Sequence, residues 1–285
     1  MRSIKLRSSV LPLLPFFFFA AFFLVWPIVA VVLRSLHGNH QEWTIENYRP
    51  LIHSGPYLHA FITSIKLSII TALIGAFLGS LFAFAVVKYA GPRITGALDS
   101  ISAVFANSGG VPLAFMFIAA FGVEGVATRI VKSLGWDIYA VHFSIFGFTG
   151  VVMVYTFFQS PLMFLVFKPA IEGLRSEWQE ASSSLGASPF TYWRRVAIPV
   201  LTPSFLGATF LLFASSFSAY ATARALTVGT VPLVPIVIGT LVDGNVISDQ
   251  ANLGDALAVG MVLVAGVAMI GYIFASRSAA KWKQV

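Results

Sequence analysis

The chain reads as an all-α membrane protein of six transmembrane helices, with N- and C-termini both cytoplasmic. Three observations predict this. Hydrophobic residues make up 58% of the 285 and charged residues only 10%, against about 25% charge in soluble domains, and mean hydropathy is +0.86. So little charge cannot cover a chain of this size with a polar surface, so lipid must be much of its solvent. Next, six apolar runs reach the roughly 20 residues needed to cross hydrocarbon, at about 10–36, 60–87, 97–122, 143–167, 200–226 and 255–276. Finally, an inside N-terminus puts 1–9, 88–96, 168–199 and 277–285 on the cytoplasmic side. Those segments hold Arg2, Lys5, Arg7, Lys88, Arg93, Lys168, Arg175, Arg194, Arg195, Arg277, Lys281 and Lys283, against Arg34, Arg49, Arg129 and Lys132 outside, and twelve against four is a positive-inside bias. The formal charge of +7 is therefore spread over the ends of apolar runs and forms no nucleic-acid patch. The chain has no cysteine, which excludes disulfides and thiolate metal sites.

The first run follows Arg2, Lys5 and Arg7 and could be a secretion signal, but it exceeds the 7–15 residues of a signal core and lacks a small-x-small cleavage site. It reads as a retained span, bent or started late by Pro12, Pro15 and Pro27. The segment 37–59 is rich in His and aromatic residues and suits the membrane interface, as a short helix lying on it; its histidines have no metal-ligand spacing. In the second run Gly75 and Gly79 form a G-x-x-x-G pair, which favours close helix packing. The third run is the weakest, interrupted by Asp99, Asn107, Gly109, Gly110 and Pro112. The segment 123–142 suits a short amphipathic helix. In the fourth run, Gln159-Ser160-Pro161 is expected to loosen the helix. Between the fifth and sixth runs, VPLVPIVIGTLVDG is too apolar for a free loop and is expected to pack on the bundle; Asp243, Gly244, Asn245, Asp249 and Asn252 are the polar residues there. No repeat or linker divides the chain, which reads as a single transmembrane domain over 1–285, with its core at 55–276.

Between the fourth and fifth runs lies a polar island, KPAIEGLRSEWQEASSSLGASPFTYWRRVAIPV, from Lys168. Gly186 can close one short helix, and Ser188-Pro189 can cap and start a second. Glu180-Ala181-Ser182 precedes Gly186 by three residues; nine more lead to Val196, with Ile198-Pro199 behind it. This spacing resembles the E-A-A-x3-G-x9-I-x-L-P loop of the permeases of ATP-binding-cassette importers of type I. Ser182 stands for Ala, and Val196 and Ile198 stand for Ile and Leu, with little change in size or apolarity. The likeness covers about 55–276 and is most specific at 168–199. The stretch SSFSAYATARALT after the loop is similar to the branch that includes polyamine, iron, thiamine and aminoethylphosphonate importers.

The resemblance implies a type I importer permease fold in a bacterial cytoplasmic (inner) membrane. It implies an ATPase-coupling role for Glu180, Ala181, Ser182, Leu185, Gly186, Ile198 and Pro199. It also implies partners: two ATP-binding subunits, a second permease (identical or homologous), an extracytoplasmic substrate-binding protein met by the outer loops, and surrounding lipid, with no nucleic acid. ATP and Mg would sit on the partner ATPase, with no cofactor on this chain. In agreement, the sequence has no G-x-x-x-x-G-K-[ST] phosphate loop, no H-E-x-x-H, no G-x-S-x-G and no paired intramembrane carboxylates, so a translocation subunit fits better than an enzyme.

Polar groups within the spans are candidates for the solute path, because lipid tolerates them poorly. They are Lys66, Asn107, Gln159, Ser215, Ser216, Ser218, Tyr220 and Arg224. For Lys66 and Arg224 the alternative is snorkelling to the headgroups; for Asn107 and Gln159 it is hydrogen bonding between helices as buried amides; for the serines it is close packing. The solute is expected to be a small polar or charged molecule, a polyamine, a phosphonate or similar; the spans show no carboxylate but Asp99 at a span edge, and Lys66 and Arg224 lean toward an anion or zwitterion. Two other classes remain, a self-contained secondary transporter and a membrane scaffold that docks a cytosolic partner. Copurification with an ATPase would argue against the first, and solute uptake against the second.

Overall fold

The computed structural model describes residues 14–38, 42–53, 55–140, 143–242 and 251–282. His40, Asp243, Gly244, Asn245, Asp249 and the basic residues Arg2, Lys5, Arg7 and Lys283 lie outside them. Among the described residues the chain is helical, with one isolated β-bridge between His37 and Trp43. In chain order the helices are α1 (Leu14–Ala20), α2 (Trp26–Ser35), α3 (Arg49–His53), α4 (Gly55–Tyr89), α5 (Pro92–Asn107), α6 (Val111–Phe121), α7 (Val126–Ser133) and α8 (Phe148–Glu172). They continue with α9 (Ser176–Ser184), α10 (Pro189–Tyr192), α11 (Ile198–Ser218), α12 (Ala221–Thr227), α13 (Val234–Val242) and α14 (Ala251–Trp282). A π turn, Ala21–Val25, joins α1 to α2, and another, Trp193–Ala197, joins α10 to α11. Six stretches are long and apolar enough to cross a membrane: Pro15–Ser35, Gly55–Tyr89, Val111–Ser133, Phe148–Glu172, Pro189–Ser218 and Asn252–Arg277.

Several expectations need correction. The third run is not one helix over 97–122. It divides into α5 and α6 at Ser108–Gly110, because Gly110 takes φ 109°, a conformation that favours glycine, and Pro112 can only start a new helix. The fifth run does not continue to 226; α11 stops at Ser218, Ala219 is extended, and α12 starts afresh. Conversely, Gln159-Ser160-Pro161 does not interrupt the fourth span. α8 runs through both Pro161 and Pro169, held by packing on its buried face. The apolar stretch after 231 forms no free loop, in line with its composition, since α13 forms within it.

By its internal contacts the chain forms two compact units. The smaller comprises 1–58 and 237–262. In it the apolar window of the first span buries none of its residues, as suits a lipid-facing helix. Besides buried Leu241, Leu253, Ala256 and Leu257, polar contacts tie this unit together. Arg34 grips the buried Asp255 with two 3.1 Å contacts. Asn252 donates to the His37 carbonyl (2.9 Å), and Asn47 donates to the carbonyls of Ser35 and His37 (2.8 Å each).

The larger unit comprises 59–236 and 263–285. Two apolar clusters form its core. One gathers Leu67, Leu113, Phe117, Ile145, Val154, Tyr155, Leu226 and Leu233; the other gathers Ala76, Ala83, Met163, Phe164, Phe167, Leu201 and Leu212. Gly75 and Gly79 let α4 lie directly on α8. A Cβ at Gly79 would come within 2.4 Å of the Ser160 carbonyl, and one at Gly75 within 2.9 Å of Gln159 Cβ. The G-x-x-x-G pair thus serves packing, as its spacing predicts.

Candidate functional site

The polar loop folds as its residues dictate. α8 ends at Glu172, and α9 carries Glu177 in its first turn, where a carboxylate complements the helix dipole. After α9 the Gly186 N–H donates to the Ser183 carbonyl (2.9 Å) and the Ala187 N–H to the Ser182 carbonyl (3.0 Å). That is a Schellman closure, and it places Gly186 at φ 75°, where glycine is favoured. The Ser188 hydroxyl then caps α10 by accepting from the Thr191 N–H (3.3 Å), with Pro189 in the first turn. The helix pair broken at 186–189 therefore forms as the sequence predicts.

This turn presents its residues outward. Glu180, Ala181, Leu185 and Gly186 are exposed, Leu185 at 87%, and Ser182 is half-buried. Phe190 is 72% exposed. Leu185 and Phe190 are thus large apolar side chains held out on an otherwise polar loop. Behind the turn the segment is anchored: Tyr192 and Ala197 are buried, and Trp193 packs edge-on against Phe84 of α4 at 5.2 Å. Ile198 and Pro199 open α11; both are exposed, and Ile198 lines an apolar cavity of about 340 Å³ with Phe84, Phe167 and Trp193.

The polar residues of the spans sort into two groups. Gln159 and Ser216 are buried within the helix packing. The Thr71 hydroxyl joins them: it lies 2.8 Å from Ser216 Oγ and 3.2 Å from Gln159 Nε2, and it donates to the Leu67 carbonyl at 2.9 Å. With its one proton committed there, Thr71 accepts from both neighbours, and α4, α8 and α11 are pinned at one point between the two apolar clusters. Gln159 Oε1 has no partner. Both residues therefore hold helices together in this chain, the alternative reading of their polarity.

The second group stays accessible. Lys66, Asn107 and Ser218 are exposed, while Ser215, Tyr220 and Arg224 are half-buried. Asn107 is not a buried amide; its Nδ2 donates to the Ala103 carbonyl in its own helix at 2.8 Å. The Arg224 guanidinium lies 5.7 Å from the Tyr220 ring. Asn107, Ser218 and Tyr220 flank the breaks at 108–110 and 219–220, and the breaks are tied together. The Gly110 N–H donates to the Thr222 hydroxyl at 2.7 Å, and the Tyr155 hydroxyl donates to the Ala219 carbonyl at 2.6 Å. Non-helical backbone at membrane depth persists only where it is buried in protein or lines a water-filled cavity. Gly109 and Ala221 at these breaks are exposed.

Two charge pairs between distant segments escaped the sequence reading. Lys168 donates to both Asp99 oxygens (2.7 and 2.6 Å) and lies 3.6 Å from Glu172; Arg34 pairs with Asp255 as described. Their partners lie 69 and 221 positions apart, so no local pattern announces them. The i,i+4 spacing of Lys168 and Glu172 was the one available signal. Among the described residues no group of three His, Asp or Glu could hold a metal ion.

No family model matches the chain. It is 27% identical over 233 residues to the probable sulfate transport system permease protein of Anthoceros angustus, covering 80% of this chain and 75% of that one. It is 24% identical over 238 residues to a protein assigned as a 2-aminoethylphosphonate transport system permease of Salmonella typhimurium, covering 81% of each. Among solved structures it shares its fold with a bacterial alginate ABC transporter in complex with an alginate pentasaccharide-bound periplasmic protein, at TM-score 0.73 and 16% identity over 100% of this chain and 96% of that one. It also matches the MetNI methionine ABC transporter in an inward-facing form, at TM-score 0.51 and 15% identity over 79% of this chain and 99% of that one.

Proposed function

This chain is a homologue of the permeases of ATP-binding-cassette importers, and from that premise we propose that it couples to a separate ATPase through Glu180, Ala181, Ser182, Leu185, Gly186, Ile198 and Pro199. The observation that carries the reading is the turn closed at Gly186, which holds Leu185 out of a polar loop between two spans. The chain is a translocation subunit, not an enzyme. Two ATP-binding subunits, with ATP and Mg, would bind below the loop; a second permease would complete the path; a binding protein would deliver solute from outside. The complex would reside in a bacterial cytoplasmic membrane, with the whole chain acting as one transmembrane domain.

In this reading ATP closes the ATPase pair and α9 moves with it as a short lever. α8 and α11 continue into the membrane from either side of the loop, so the lever tilts both and switches the path between inward- and outward-open. ATP at one end and loaded binding protein at the other bias a single conformational equilibrium. The residues assigned to the path are the accessible ones, Lys66, Asn107, Ser215, Ser218, Tyr220 and Arg224. The relatives' names, sulfate and 2-aminoethylphosphonate, share a small tetrahedral oxyanion. The cations Lys66 and Arg224 suit that class better than a polyamine.

The test is affinity purification of the intact membrane complex in mild detergent, with ATPase activity assayed on wild type, Gly186→Trp and Glu180→Lys. An ATPase should accompany the wild type and be lost or uncoupled in the variants. If none accompanies the wild type, the coupling reading fails and a secondary transporter leads.

A further inference from the structure

The Lys168–Asp99 pair sits where the coupling segment meets the membrane body. Lys168 lies one turn before the end of α8, and the loop that carries α9 begins at Gly173. Its ammonium donates to both oxygens of Asp99 on α5, and its side chain is only 10% exposed, against 37% for Asp99. The Phe164 ring lies 5.8 Å from that ammonium. Glu172, 3.6 Å away on α8 itself, is a second carboxylate for the ammonium, but only Asp99 ties it to another helix. Elsewhere α5 and α8 meet through apolar contacts such as the edge-on Phe105–Phe157 pair at 5.3 Å, and apolar contacts can shift past one another. A two-oxygen ion pair cannot.

We propose that the Lys168–Asp99 pair is the joint that carries movement of the coupling segment into α5, which makes both residues positioning residues for transport. This rests on the coupling reading above. From Asp99, α5 runs unbroken for about 12 Å at 1.5 Å per residue to Asn107 and the break at 108–110. There the Gly110 N–H is held by Thr222 of α12. A displacement at the cytoplasmic end of α8 is thus delivered, through the ion pair and one stiff rod, to the broken-helix junction beside Asn107. A cavity of about 560 Å³ beside the pair, lined by Val87, Ala90, Thr95, Asp99 and Glu172, leaves α5 room to follow.

This chain has no cysteine, so it can be labelled at chosen positions before assembly with its partners. Ser100→Cys on α5 and Gln179→Cys on α9 are spin-labelled in the intact complex, and their separation is measured without nucleotide and with ATP and vanadate. With the joint intact the distance distribution should be the same in both states. In Asp99→Asn it should shift or broaden when nucleotide is added, and Asp99→Glu should restore the wild-type behaviour. The exchanged pair, Asp99→Lys with Lys168→Asp, serves if Asp99→Asn fails to insert, and it too should keep the distance fixed. A nucleotide-dependent shift with the wild-type joint, or no shift in Asp99→Asn, overturns the joint while an accompanying ATPase leaves the coupling reading standing. If no ATPase accompanies the chain, the coupling reading falls and the joint falls with it.

Discussion

Replacing Thr71 with valine tests the polar node without changing side-chain shape. The Thr71 oxygen accepts from Ser216 and Gln159, two groups buried to 3% and 0% exposure. Valine removes that acceptor and leaves both donors unpaired. In water-soluble proteins each orphaned buried group costs about 1–3 kcal/mol. Hydrogen bonds between membrane helices average about 0.6 and reach about 1.7 kcal/mol, because the unfolded chain in lipid finds other partners. Two such bonds place Thr71→Val at about 1–3 kcal/mol, or roughly 5- to 150-fold in the folded-to-unfolded ratio. Gln159→Leu should behave differently. It removes the donor together with the unpartnered Oε1, while Thr71 keeps Ser216 and the Leu67 carbonyl, so the net change should be within about 1 kcal/mol. Denaturant titration of the purified protein in mixed micelles reads both. A Thr71→Val protein as stable as wild type, or a Gln159→Leu protein that loses more than Thr71→Val, would refute the assigned hydrogen-bond directions.

Gly79→Ala should destabilise by about 1–3 kcal/mol or more, because the new Cβ meets a backbone carbonyl and Met163 Cβ within 2.5 Å; Gly75→Ala should cost less in the same titration. Ser188→Ala should cost about 0.5–2 kcal/mol at the start of α10, read as faster amide exchange at Thr191 while exchange in α8 is unchanged. The Asp137 carboxyl is held below its ordinary value of 3.8, chiefly by the hydrogen bond from the Lys132 ammonium and then by the Tyr139 N–H. A depressed carboxylate stabilises above its unfolded value and loses that contribution as pH falls through its folded one. Proteolysis of the turn at 133–140 should therefore be flat from neutral pH down to 3.8 and rise only below it.

Much of the membrane architecture was legible because it depends on local chemistry. Apolar runs marked the spans; Gly186 and Ser188-Pro189 marked the Schellman closure and the cap; Gly75 and Gly79 marked a close approach. What the sequence hid depends on groups far apart in the chain. Pro161 looked like a break, yet α8 continues because α4 packs against it there. Asn107 looked buried, yet the break just beyond it leaves it on the accessible face. Thr71, which organises Gln159 and Ser216, is an ordinary threonine in an apolar run until α8 and α11 are placed beside it. Asp99 and Lys168 read as charges at span ends, and only packing of α5 on α8 makes them partners.

The bond from the Gly110 N–H to Thr222 spans 112 positions, and this bears on how the protein is made. At about 5–20 residues per second of synthesis, Thr222 follows Gly110 out of the ribosome by roughly 6–22 seconds. Throughout that interval the interrupted third segment has an open amide and no partner to close it. It is a poor candidate for release into lipid on its own and should linger at the insertion machinery until the fifth segment arrives. Truncation of the nascent chain before Thr222 should leave the segment carrying Gly110 the least stably inserted of those already made.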